Sequence, residues 1–222
     1  MASKKSKKIG IYDSCINEYV YDEVPEGSHC LDVGCWTGNL GKKLIKEKKC
    51  RVDGIDFNSE ALTEAKDRGY QEVFNINLNC NPQAINKIKK RYDCIICADV
   101  LEHLNNPELV LSLLMKKMKK DGIIISSVPN IGFAKQRVEL LFGKFEYNLA
   151  GGIMDKTHLR FFTAKSLRAL YEQAGFRVES FSGYSLVKNK YFFLRFLAKI
   201  WPSLFALQFL VKVKLKNTTG IH

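Results

Sequence analysis

Short β-rich runs recur along the chain at 29–34, 51–56, 72–76, 92–98, 122–128 and 176–183. Between them the apolar positions fall into helical spacing at 38–48, 59–68, 82–90, 108–119 and 164–174. Strands separated by helices of this length predict βαβ crossovers and an α/β fold whose mostly parallel sheet is covered on both faces. Turn chemistry marks several boundaries. Ser59 reads as an N-cap whose helix is favoured by Glu60 and Glu64, and Lys120-Asp121-Gly122 reads as a turn launching a strand.

Two stretches break the alternation. Residues 129–163 carry Gly132, Gly143, Gly151 and Gly152 among aromatics, and a long irregular segment inside a compact domain reads as a lid on the acceptor side. The second, 184–203, is aromatic and basic. Over 188–200, Phe192, Phe193, Phe196, Leu197 and Ile200 gather on one side of a helix and Lys188, Arg195 and Lys199 on another. Such a basic amphipathic helix fits a peripheral contact with an anionic membrane or a lipid-like acceptor, or an apolar face laid on the sheet. The longest uncharged run there, Ile200–Val211, spans 12 residues; about 20 are needed to cross a bilayer, so no transmembrane segment is expected. Phe209–Lys216 closes the chain with period-two alternation.

With 222 residues, 46 % hydrophobic and 26 % charged, the chain has the makings of one domain over 9–216 and excludes disorder, collagen-like repeats and coiled coil. Its +12 charge is loaded at the ends. Lys4, Lys5, Lys7 and Lys8 form a basic leader over 1–8, read as disordered, and seven more Lys and Arg follow residue 183 with no acid. The body is left close to neutral, which speaks against nucleic acid as partner, since phosphate contacts need Lys and Arg around the site. Residues 217–222 read as a frayed tail. Seven scattered cysteines, an odd number, point to reduced thiols and a cytoplasmic location, and Cys94-x-x-Cys97 sits in a strand-like run where packing explains it. The basic start leads into no apolar run, so no signal peptide is expected.

Leu31-Asp-Val-Gly-Cys-Trp-Thr-Gly38 reads as a strand ending in a glycine turn that opens a helix. Asp56, 22 residues beyond Gly34 at the tip of the next strand, is placed to accept both hydroxyls of a ribose. Together they describe a nucleoside site at the carboxyl edge of the sheet. The glycine spacing is G-x-x-x-G-x-x-G with Trp36 at the second glycine of a dinucleotide fingerprint, which argues against a nicotinamide or flavin enzyme.

These motifs, with Asp99-Val-Leu-Glu-His-Leu104, Asp121-Gly122, Val128-Pro-Asn130, Gly152-Ile-Met-Asp-Lys-Thr-His-Leu-Arg-Phe-Phe-Thr163 and Ala174-Gly-Phe176, resemble class I S-adenosylmethionine-dependent methyltransferases, in the small-molecule and glycan-cluster branch. The resemblance implies a Rossmann-like, doubly wound sheet of seven strands, the last one antiparallel and beside the strand at 176–183, with Lys212, Lys214 and Lys216 on one face. It implies S-adenosylmethionine as cofactor and S-adenosylhomocysteine as product. Asp32, Gly34, Cys35, Thr37 and Gly38 would surround the methionine end, with Trp36 roofing the turn and Asp99 counted among the contacts. Asp56 would hold the ribose and Phe57 pack on the adenine. Asn77 and Leu78 would line the base, Asn77 standing where the family usually has an acid.

A hydroxyl acceptor must lose its proton to a base or to a metal that acidifies it. Glu102, His103 and His158 are the expected catalytic residues, His158 arriving from the lid. If a helical turn starts at Asp99, Asp99, Glu102 and His103 share a face. With His158 they resemble the E-x-x-E-H ligand set of metal-using relatives, Asp99 replacing the first Glu. The expectation is no metal, with those four as the ligands should a divalent ion be held. The function expected is methyl transfer to oxygen, in preference to nitrogen or carbon, of a small-molecule, glycan or lipid-linked acceptor. The rivals are a metal-assisted RNA 2′-O-methyltransferase and a non-catalytic module binding a nucleoside or a membrane.

Overall fold

The computed structural model describes residues 16–149, 151–184 and 192–216. The expected leader at 1–8 and tail at 217–222 lie outside the described residues, as do 188–191 of the amphipathic helix.

Seven strands form one sheet: β1 His29–Val33, β2 Arg51–Asp56, β3 Val73–Asn75, β4 Tyr92–Ala98, β5 Met118–Pro129, β6 Phe176–Tyr184 and β7 Gln208–Leu215. Their order is β3-β2-β1-β4-β5-β7-β6. All neighbours run parallel except β7, which is antiparallel to both β5 and β6. Eight α-helices accompany it: α1 Glu18–Glu23, α2 Asn39–Lys48, α3 Ser59–Asp67, α4 Pro107–Met115, α5 Ala134–Leu141, α6 Ala164–Gln173, α7 Phe192–Ile200 and α8 Pro202–Phe205. This is the expected Rossmann-like architecture.

The strand positions alternate between two cores. In the fully buried β1, Leu31 and Val33 join the cluster that includes Leu111 of α4 and Leu167 of α6, whereas Cys30 joins the cluster that includes Val20 of α1, Leu44 of α2 and Leu62 of α3. Burial on both faces explains why β1 and β4 carry apolar residues at consecutive positions, Cys30-Leu31 and Cys94-Ile-Ile-Cys97.

Several boundaries differ from the sequence reading. Asn58, one residue before Ser59, is the N-cap of α3, and its side chain accepts from Ala61 N. The 82–90 segment is a 3-10 turn over Pro82–Lys87. The helix expected to reach Lys119 stops at Met115, because Met118 already pairs with Tyr92 of β4. The pairing then jumps to Cys94 opposite Ile123, so Lys120-Asp121-Gly122 lies in a bulge inside β5. The 129–163 segment contains α5, whose residues follow no buried stripe. Lys212 pairs with Glu23 and Lys214 with Glu179, but Lys216 is past the end of β7 and donates to the Glu172 carbonyl of α6, so the three do not act as one row.

Helix α7 lies against β6: a Cβ built on Gly183 would stand 3.2 Å from the Ala198 carbonyl, and Ala198 is buried. Phe196, Ile200 and Trp201 nevertheless stay more than half exposed. No helix among the described residues is long and apolar enough to cross a membrane.

Candidate active site

At the carboxyl end of β1 the backbone N–H groups of Gly34 and Cys35 both donate to the Ile55 carbonyl of β2, at 2.7 and 3.0 Å. Gly34 has φ +71°, and a Cβ there would meet a Val100 methyl at 2.8 Å, so the position excludes any side chain. Trp36 also takes positive φ, 48°. Its N–H donates to Asp56 Oδ2 at 2.9 Å, while Asp56 Oδ1 accepts from Asn58 N at 2.9 Å. The ribose-binding candidate is therefore oriented by two backbone donors at the tip of β2. The ring of Phe57 beside it is 66 % exposed, presenting a face for a base to stack on.

Thr37 is buried, and its hydroxyl has no hydrogen-bond partner. An orphaned hydroxyl inside a glycine turn fits the polar methionine end of S-adenosylmethionine. Asp32 receives the Tyr70 hydroxyl at 2.6 Å. Burial lifts its carboxyl to about 7 against the opposing Tyr70 hydrogen bond, with Asp56 adding to the rise. Burial likewise pushes the Cys35 thiol far up, so it is a packing group and no nucleophile. Asn77 spends its side-chain oxygen on the N–H groups of Asn79 and Cys80, both at 3.0 Å, which leaves its amide N–H groups as donors. Leu78 is half-buried against the core.

The second group lies past β4. Leu101–His103 is a 3-10 turn, in place of the α-helical turn expected. Glu102 is 1 % exposed, and neither carboxylate oxygen has a partner. Ligand atoms of Glu102, His103 and His158 all lie within 4.8 Å of one another. His103 Nδ1 bonds the Thr157 carbonyl at 3.1 Å and His158 Nδ1 the Ile153 carbonyl at 2.9 Å. A carbonyl can only accept, so each Nδ1 carries the proton and each Nε2 keeps a free lone pair. The Glu102 carbonyl accepts from both Leu159 and Arg160, at 2.8 and 3.0 Å, which pins the lid segment to this turn. Burial holds Glu102 well above the carboxylate range, helped by the nearby Asp99 charge, and burial lowers His158. A buried carboxylate without donors and two oriented imidazoles make a donor set suited to a divalent cation.

Asp99 does not join them. Its φ is +54°, and Oδ1 accepts from Ser127 Oγ and Gln208 Nε2, both at 3.0 Å. The left-handed backbone turns the carboxylate toward β5 and β7, so the four-residue ligand set reduces to three. The residues that brace the site gave no motif in the sequence: Asn17 bridges Ser127 Oγ and the Tyr184 hydroxyl at 3.1 and 2.8 Å, and Tyr70 lies behind the glycine turn. Such contacts span more than a hundred residues in the first case and carry no local signal.

Residues 15–180 match the methyltransferase-domain family. A ubiquinone biosynthesis O-methyltransferase of Coxiella burnetii (strain RSA 331 / Henzerling II) is 26 % identical over 193 residues, covering 84 % of this chain and 81 % of the relative. Among solved structures, a SAM-dependent methyltransferase from Archaeoglobus fulgidus superposes with a TM-score of 0.61 at 19 % identity, covering 89 % of this chain and 90 % of that one. The [4+2]-cyclase SpnF superposes with 0.62 at 14 % identity, covering 89 % and 79 %, so the fold alone does not dictate the reaction. On the family match over most of its length, the chain belongs to the methyltransferase-domain family, with the fold of the class I S-adenosylmethionine-dependent enzymes.

Proposed function

We propose that the chain moves a methyl group from S-adenosylmethionine to a hydroxyl oxygen of a small-molecule acceptor at the Glu102–His103–His158 cluster. The observation that carries this reading is Glu102, buried with both carboxylate oxygens unpartnered beside two histidines that each offer a free lone pair. A nitrogen acceptor brings its own lone pair, whereas a hydroxyl needs its proton removed, and that is the task this cluster suits. S-adenosylmethionine supplies the electrophilic methyl group; Asp56, Thr37 and the turn around Gly34 hold it. A divalent cation on Glu102, His103 and His158 would satisfy all three groups and acidify an acceptor hydroxyl when bound. The carbonyls of Thr157 and Ile153 keep both rings aimed at that point. The name of the Coxiella relative, an O-methyltransferase, supports oxygen as the target.

Aromatic rings lead from the cluster to a cavity of mixed apolar and charged lining. The His158 ring stands 6.4 Å from Phe161, which stands 5.9 Å from Phe145. Phe145 lines a cavity of about 270 Å³ with Ile131, Leu140 and Met154. Outside it, Leu141, Phe142 and Leu149 are exposed by 80, 74 and 83 %. Exposed apolar groups of this size, beside Lys135, Arg137 and Lys144, which outnumber Glu139 and Glu146 there, support a lipid-linked acceptor met at an anionic membrane surface, as do the exposed Phe196, Ile200 and Trp201 on α7 and its end. Incubation with candidate hydroxyl acceptors, followed by mass spectrometry that locates the added methyl, tests the reading. Methyl on oxygen, with turnover lost in Glu102→Gln, is expected; methyl on nitrogen or carbon overturns it.

A further inference from the structure

The cofactor turn is gripped from behind by three consecutive residues outside every motif, at the end of α3. Arg68 Nη1 donates to the Thr37 carbonyl at 2.6 Å and to Asn39 Oδ1 at 2.9 Å. Tyr70, 2 % exposed, donates its hydroxyl proton to Asp32 Oδ2 at 2.6 Å and accepts the Gly41 N–H at 3.1 Å. Gly69 between them has φ +104°, and Tyr70 N returns to the Ala65 carbonyl, so the chain doubles back over the end of the helix. The ring of Tyr70 explains three glycines at once. A Cβ on Gly38, Gly41 or Gly54 would come within 2.7, 2.2 and 2.9 Å of it. Those glycines come from α2, its N-cap and β2, so one aromatic ring fills the space between the glycine turn and the neighbouring strand.

We propose that Arg68 and Tyr70 are positioning residues for cofactor binding, Arg68 acting through the backbone of Thr37 and Tyr70 through Asp32 and the first turn of α2. Thr37 is the residue whose hydroxyl is buried without a partner. Holding its carbonyl fixes where that hydroxyl points. Asp32 needs its donor for a different reason: buried beside Asp56 and the thiols of Cys30, Cys35 and Cys97, it has the Tyr70 hydroxyl to favour its ionised form. The ionised form is the one that attracts the ammonium group of an amino-acid ligand. This inference concerns the cofactor and is independent of the acceptor chemistry proposed above.

Calorimetric titration of the full chain with S-adenosylhomocysteine at pH 6 and pH 9 tests it, using Tyr70→Phe, Arg68→Met and the double variant. Each single variant is expected to bind about fivefold to tenfold more weakly, from the loss of the two hydrogen bonds that each side chain makes to the turn and the first turn of α2. The Tyr70→Phe loss deepens at pH 6, where Asp32 without its donor keeps its proton, whereas the Arg68→Met loss is the same at both. The double variant loses less than the product of the two, because both act on one turn. Losses below threefold in both variants overturn the proposal, as does a Tyr70→Phe loss independent of pH. Should Tyr70→Phe not fold, the partly exposed Arg68 decides alone: a loss above threefold in Arg68→Met with an unchanged melting temperature supports the clamp, and a smaller one overturns it. Wild-type protein that does not bind the ligand would instead contradict the cofactor site itself.

Discussion

The carboxylate of Asp56 accepts the backbone N–H of Trp36 at 2.9 Å, tying the tip of β2 to the apex of the turn that follows β1. The residue proposed to hold a ribose is thus also a strut of the turn proposed to hold the methionine end. Asp56→Ala is therefore expected to lower the affinity for S-adenosylhomocysteine by more than about tenfold, and Asp56→Asn by less, because one acceptor oxygen survives. Calorimetry on the two variants checks the order; equal losses would separate the strut from the ribose contact.

Against the sequence expectation of no metal, the two imidazoles and one carboxylate of Glu102, His103 and His158 lead us to predict binding of a divalent transition-metal ion such as Mn²⁺ or Zn²⁺. Methyl transfer in chelator should fall by at least about tenfold and return on adding metal, and the same metal should raise the melting temperature of wild type but not of His158→Ala. Full activity in chelator would assign the proton transfer to His158 alone. Its lowered pKa keeps it neutral, and able to act as a base, at and below the ordinary histidine range.

The stability of the cation-free protein should fall as pH rises. Glu102 keeps its proton in the native state to a higher pH than in the unfolded chain, because burial opposes its charge. Stability contributed by that proton is complete below the ordinary carboxyl pKa and is lost as pH climbs through the native value. Glu102→Gln removes its share of this slope, and the raised carboxyl of Asp32 keeps a share of its own. Melting curves in chelator from pH 4 to pH 8 should show the variant gaining on wild type by roughly 1–3 kcal/mol at the alkaline end, with the gap closing near pH 4. Parallel curves would contradict the assignment.

Sedimentation with vesicles tests the lipid surface. Binding to phosphatidylcholine vesicles containing phosphatidylglycerol, and much weaker binding to phosphatidylcholine alone, is expected for wild type. Leu141→Asp with Phe142→Asp should reduce it about tenfold or more without lowering the melting temperature, since both side chains are mostly exposed. Unchanged binding in that pair would remove α5 from the interface.

What the sequence made readable follows the range of the interactions involved. β4 falls at the expected boundaries because a strand buried on both faces carries a local apolar run, Cys94-Ile-Ile-Cys97, whereas β2 has only Val52 and Ile55 and is marked by its end at Gly54-Ile-Asp56. The glycine turn and Asp56 were legible because backbone geometry restricts the residue types there. The trio at the catalytic cluster was legible as residue types, but Asp99 was assigned to it on the assumption of a helical turn that the left-handed backbone at Asp99 replaces. Arg68, Tyr70 and Asn17 were invisible because their roles depend on partners 29 or more residues away. Helix α5 was missed for a related reason: it buries none of its residues, so it has no stripe to read.

Among the described residues, strand β6 hydrogen-bonds to β7 and to no other strand, and β7, at residues 208–215, is made after both of its neighbours. During synthesis β6 and α6 emerge with no place reserved for them in the sheet. They wait until a segment some thirty residues later slots between β6 and β5. The sheet is zipped shut by β7, so a ribosome that pauses before residue 208 leaves β5 with an open edge and β6 with no strand partner at all.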